Sequence, residues 1–97
     1  MPAMHATLTV MPGAARSLSN GAADAARVHN LNGASIDIQV TSANVAPTSR
    51  DGALPLGVGE TMAADLPLAA LFPGVGAGPF FVWAFASTPT TLSVSHA

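Results

Sequence analysis

The side chains best suited to metal binding or general-base work in this 97-residue chain are its three histidines, His5, His29 and His96. None falls in an H-x-x-x-H or H-x-H pair, or at ligand spacing from a carboxylate. A metal centre would therefore need strand neighbours to assemble it. The expectation is exposed or locally hydrogen-bonded imidazoles, with no metal and no cofactor. The run Ser93-Val94-Ser95-His96 sets serine beside histidine. Adjacent residues of a strand point to opposite faces, so Ser95 and His96 do not form a nucleophile–base pair. No Gly-x-Ser-x-Gly elbow exists. The carboxylates Asp24, Asp37, Asp51, Glu60 and Asp65 are scattered; Asp51-Gly52 reads as a turn and Asp65 as a helix cap. Gly74-Val75-Gly76-Ala77-Gly78 lacks the lysine of a phosphate loop and precedes a strand instead of a helix. No catalytic constellation emerges, and the chain is read as a non-enzyme.

An aromatic stripe is the remaining candidate. In Pro79-Phe80-Phe81-Val82-Trp83-Ala84-Phe85-Ala86, one face of a strand carries Phe81, Trp83 and Phe85, and the other carries Phe80, Val82 and Ala84. Exposed aromatics would make a platform for a sugar; covered ones would belong to the core or to a subunit interface. Two apolar faces fit a central strand covered on both sides, by its own chain or by another copy.

The elements that must position these residues are strands. Ala6-Thr7-Leu8-Thr9-Val10-Met11 alternates, placing Leu8 and Val10 on one side, and Pro12-Gly13 ends it. Val28-His29-Asn30-Leu31 leads into Asn32-Gly33 and then Ser35-Ile36-Asp37-Ile38-Gln39-Val40-Thr41, a clean period-two run. Asn-Gly between two such runs predicts a β-hairpin. A long connection follows over 42–59, with a short strand near Leu54, which Pro55 would confine to an edge, and another strand within 60–64. From Asp65 to Pro73 one or two helical turns are expected, with Asp65 as N-cap and Pro67 in the first turn. The last strand, Thr91-Leu92-Ser93-Val94-Ser95-His96, turns Leu92 and Val94 inward. Together these predict an all-β fold: an antiparallel β-sandwich or barrel of six to eight short strands with at most one short helix. Residues 1–24 read as an N-terminal arm or edge strand, and 25–97 as the β-sandwich domain.

Charge bounds the function. Three Arg, no Lys and five acidic residues make 8% charged side chains, against roughly 25% in an average soluble domain. Area scaling gives a folded monomer of this size about 5,100 Å² of surface, so charge is thinly spread, and thin charge invites association. Much of the surface is expected to be covered by copies of the chain or by a partner. Three Arg do not neutralise a run of phosphates, which excludes nucleic acid, nor form a polybasic membrane patch. With no Cys, disulfide scaffolds, zinc ribbons and thiol catalysis are out. The first residues lack a basic region followed by an apolar block, so no signal peptide is expected. The 66–86 stretch is uncharged and long enough to span a bilayer, but Pro67, Pro73, Pro79, Gly74, Gly76 and Gly78 interrupt it.

The run from Arg27 to Ala97 resembles a group of small β-sandwich virion proteins of tailed bacteriophages, the capsid decoration or cement type. The likeness lies in Val28-His29-Asn30-Leu31-Asn32-Gly33 with Ile36-Asp37-Ile38-Gln39-Val40, in the connection Ala46-Pro47-Thr48-Ser49-Arg50-Asp51-Gly52-Ala53-Leu54-Pro55-Leu56 with Gly59-Glu60, and in the closing strands Val82-Trp83-Ala84-Phe85 and Leu92-Ser93-Val94-Ser95. The resemblance implies a structural protein, made in the host cytoplasm, that decorates and stabilises a capsid from its outer surface. Its partners would be itself, as a homotrimer, and the major capsid protein. Leu8, Val10, Phe80, Val82 and Trp83 are then the expected oligomer and shell contacts. The alternative is a carbohydrate- or receptor-binding β module of a tail appendage, which requires Trp83 or a loop aromatic to be exposed.

Overall fold

Period-two apolar runs have one stable solution in water, which is to turn their greasy sides toward each other. The computed structural model, which describes residues 4–19, 21–65, 67–76 and 78–96, does this with two four-stranded antiparallel sheets. The first holds β1 (Met4–Val10), β3 (Ala26–Asn32), β6 (Thr61–Met62) and β8 (Thr90–His96), in the order β1-β8-β3-β6. The second holds β2 (Arg16–Ser17), β4 (Ile36–Thr41), β5 (Leu54–Leu56) and β7 (Phe81–Ala86), in the order β2-β7-β4-β5. The fold is a small β-sandwich. Val10, Val28, Leu92 and Val94 from the first sheet and Ile36, Ile38, Val82 and Ala84 from the second belong to one buried core.

The segment before β3 is built into this sandwich. β1 pairs with β8 along its whole length, from Met4 opposite His96 to Val10 opposite Thr90. Leu18 donates its amide to the Val82 carbonyl at 2.7 Å and Ala23 to Phe80 at 2.9 Å, and both side chains are buried. β5 lies at an edge with Pro55 at its centre, where a missing N–H costs no ladder bond.

Two local expectations are corrected. Asn32-Gly33 does not make a hairpin: β3 and β4 follow each other in the chain but belong to different sheets, so residues 33–35 form an arch across the sandwich. Alternation prescribes which side chains face inward, and both a shared sheet and two facing sheets satisfy that demand. The arch is favoured by Asn30, fully buried, whose Nδ2 donates to the Ala34 carbonyl at 2.9 Å and to Leu56 of β5 at 3.0 Å. Gly33 adopts φ +116°, and a Cβ there would stand 2.7 Å from the Pro89 carbonyl oxygen, so the arch passes against the turn before β8.

The helix, α1 (Leu68–Leu71), begins after Pro67 and not after Asp65, and no side chain caps it. Its first amide instead donates to the Asp24 carbonyl at 2.8 Å while Leu68 is fully buried. With a 3-10 turn over Pro73–Val75 and then β7, the uncharged 66–86 stretch is divided into short pieces. Among the described residues no helix is long and apolar enough to cross a membrane.

Candidate functional site

The fold distributes the histidines over one sheet without gathering them. His5 and His29 stand on the outer face of the first sheet, and His96 is buried at its end. His5 Nδ1 lies 3.2 Å from Ser95 Oγ, and His29 Nδ1 2.6 Å from Thr61 Oγ1. Among the described residues no three His, Cys, Asp or Glu groups gather as a metal site. The serine–histidine pair at hydrogen-bond distance is His5 with Ser95, across neighbouring strands. No carboxylate among the described residues holds the other side of the His5 ring, and the pair is exposed, so it lacks the orienting third member of a nucleophilic triad. Asp37 is taken by Arg50, and Glu60 accepts the Gly57 amide.

Two members of the aromatic stripe, Trp83 and Phe85, are inside the molecule, and Phe81 is half-buried at the start of β7. Val82, with no exposure, and Phe80, at 7%, are in the sandwich core; Trp83 and Phe85, each at 7%, lie on the opposite face of β7. That second face is roofed by the 42–53 loop of the same chain. Arg50 stacks over the Phe85 ring with 5.1 Å to its centre and pairs with Asp37 at 3.1 Å. Gln39 Nε2 donates to the Asp51 carbonyl at 2.7 Å, and Trp83 Nε1 donates to Thr41 Oγ1 at 2.9 Å. A strand with two greasy faces needs two covers, and here a loop supplies the second. Nothing short of the fold shows which covering is used.

This corrects four of the expected contact residues, Val10, Phe80, Val82 and Trp83. Val10 and Val82 are wholly buried within one chain and present no surface to another copy. Phe80 and Trp83 are nearly so, while Leu8 is half-buried and packs on the core from β1. A glycan platform on Trp83 likewise has no exposed ring to use. Beside the roof, a cleft of about 500 Å³ opens between the 47–52 loop and residues 71–75, but its polar groups at Gln39 and Thr41 already serve the roof.

The outer face of the first sheet is a surface open to a partner. Its strands bring three rows together: His5, Ser95 and Arg27; Thr7, Ser93 and His29; Thr9 with Thr91. Arg27 Nη2 donates to Ser93 Oγ at 3.2 Å. Hydroxyls dominate, and no carboxylate stands in these rows. No family model, curated protein or solved structure matches the chain.

Proposed function

We propose that the protein is a structural component of a phage-type particle, binding the outer surface of its capsid as a small homo-oligomer and stabilising the shell. The observation that carries this reading is the surface. Eight charged side chains share 4763 Å², roughly 600 Å² each, where solution-facing designs aim for a far denser mix. Protein–protein interface cores are depleted of charge in the same way. The hydroxyl rows of the first sheet supply hydrogen-bond donors and acceptors with one charged side chain, Arg27, among them, which limits the desolvation cost of burying ions. Modest contacts of this kind become firm when repeated around a lattice, because each bound copy presents the next contact at high effective concentration.

The test is to purify particles from cells carrying this gene by density-gradient banding and to quantify the chain in the band by peptide mass spectrometry. A stoichiometric share relative to the major shell protein supports the reading. A chain confined to the particle-free fraction overturns it.

A further inference from the structure

The four edges of the two sheets are unequal. β2 and β6 have two residues each, and β5 has three with Pro55 in the middle. β1 has seven, Met-His-Ala-Thr-Leu-Thr-Val, with no proline, no Lys, Arg, Asp or Glu, and a register on β8 free of bulges. Proteins ordinarily blunt such an edge, by shortening it, charging it or breaking it with proline. Three edges here are short or carry proline, and the fourth is covered at its Thr9 end by the Arg16 guanidinium and left open along the rest.

The free side of β1 can be read residue by residue. Arg16 Nη1 donates to the Thr9 carbonyl at 2.9 Å, so that carbonyl points away from β8. Backbone groups alternate sides along a strand, which turns the N–H and C=O of Thr7 and His5 to the same free side. No backbone group elsewhere among the described residues bonds to them. We infer that this edge pairs with the β1 edge of a second copy, antiparallel, about a two-fold axis through Thr7. Thr7 then faces Thr7, His5 faces Thr9, and Ala6 faces Leu8. The outward backbone groups of His5, Thr7 and Thr9 stand opposite one another and exchange ladder bonds, the Thr9 carbonyl through its second lone pair because Arg16 occupies the first. A β-branched pair sits on the axis, small meets large on the inner face, and no like charges are brought together.

Uniqueness of the edge also dictates the symmetry. Head-to-tail rings need two different complementary edges, and a single open edge closes on itself as an isologous dimer. The two first sheets become one sheet of eight strands across the pair. Such pairing depends on the edges alone and stands or falls independently of shell binding.

Light scattering behind a sizing column, run over a concentration series, tests it. The expected mass is twice that of the chain. Thr7→Lys, which places two ammonium groups across the axis, and Thr7→Pro, which removes an outward N–H, should each return it to one chain. Val45→Lys, adding the same charge on the exposed 42–46 segment, should leave the pair intact. Circular dichroism checks that the variants fold, and if Thr7→Pro does not, Thr7→Lys decides. A monomer at every concentration, a trimer, or a dimer that survives Thr7→Lys overturns the inference, as does a pair that Val45→Lys dissolves equally well.

Discussion

Arg50 lies over the Phe85 ring at 5.1 Å, and this stacking contact, with the Gln39 amide donating to the Asp51 carbonyl, pins the 42–53 loop across the aromatic face of β7. The same guanidinium holds Asp37 at 3.1 Å, but both partners are partly exposed, at 44% and 31%. Water screens that ion pair, and most of the value of Arg50 comes from covering the ring with its plane and stem. Arg50→Ala should therefore cost more than Asp37→Asn: about 1 kcal/mol against a few tenths. The chain has one tryptophan, Trp83, buried two residues from Phe85 on the same face of β7. Its emission should be blue and resistant to iodide in the native protein, and should shift red in Arg50→Ala. An unchanged spectrum in that variant would show that Arg50 does not hold the loop down.

Asn30 joins the two sheets where the arch begins. Removing its amide in Asn30→Ala leaves the Ala34 and Leu56 carbonyls without their donor and opens a small void beside them. The expected loss is about 2–4 kcal/mol. For a domain of this size each kcal/mol lowers Tm by about 4–8 °C. Asn30→Asp should be worse at neutral pH, since it buries a charge and supplies no amide donor. Thermal denaturation of the two variants side by side is the check.

Two glycines with positive φ should respond differently to alanine. Gly33 has φ +116° and no room: an added methyl would meet Pro89 and Thr90 atoms at 2.7 and 2.8 Å. Gly52 has φ +77° and open space. Gly52→Ala should cost about 1 kcal/mol, the backbone penalty alone. Gly33→Ala adds a steric clash to that and should cost at least twice as much. Equal losses, measured by urea denaturation, would mean that the arch can move away from the turn before β8.

Val82 separates core from interface. Its side chain is fully buried within one chain, so Val82→Ala should lose about 2–4 kcal/mol and leave the mass in solution unaltered. A residue whose burial depended on a second copy would behave in the opposite manner, with little loss of monomer stability and a change of mass.

Much of the layer structure was legible in the chain. Alternation named Ile36, Ile38, Val40, Leu92 and Val94 as inward, and they are. Pro55 marked an edge strand, and β5 is one. What alternation does not carry is the choice of neighbour. Asn32-Gly33 reads as a hairpin from its own residues, whereas the arch depends on Asn30 reaching Leu56, twenty-six positions away. Helix start fails for a related reason: the first amide of α1 is satisfied by the Asp24 carbonyl, so the side chain of Asp65 is not needed. Two-residue strands such as β2 and β6 have no period to detect. As for the candidate site, Trp83 and Phe85 were visible as a stripe, but the loop that roofs them shows only as polar, proline-bearing chain with one arginine. The outer hydroxyl rows need the register of three strands, β1, β8 and β3, which comes only with the fold.

The pairing of β1 with β8 has a bearing on how the molecule is made. β1 leaves the ribosome before the other seven described strands of the sandwich, and its strand partner among the described residues is the last of them. While everything between is being synthesised, Met4–Val10 waits with both of its edges bare, next to other nascent copies on the same message. Folding of the first sheet is thus a late and long-range event, its slowest closure deferred until β8 has emerged.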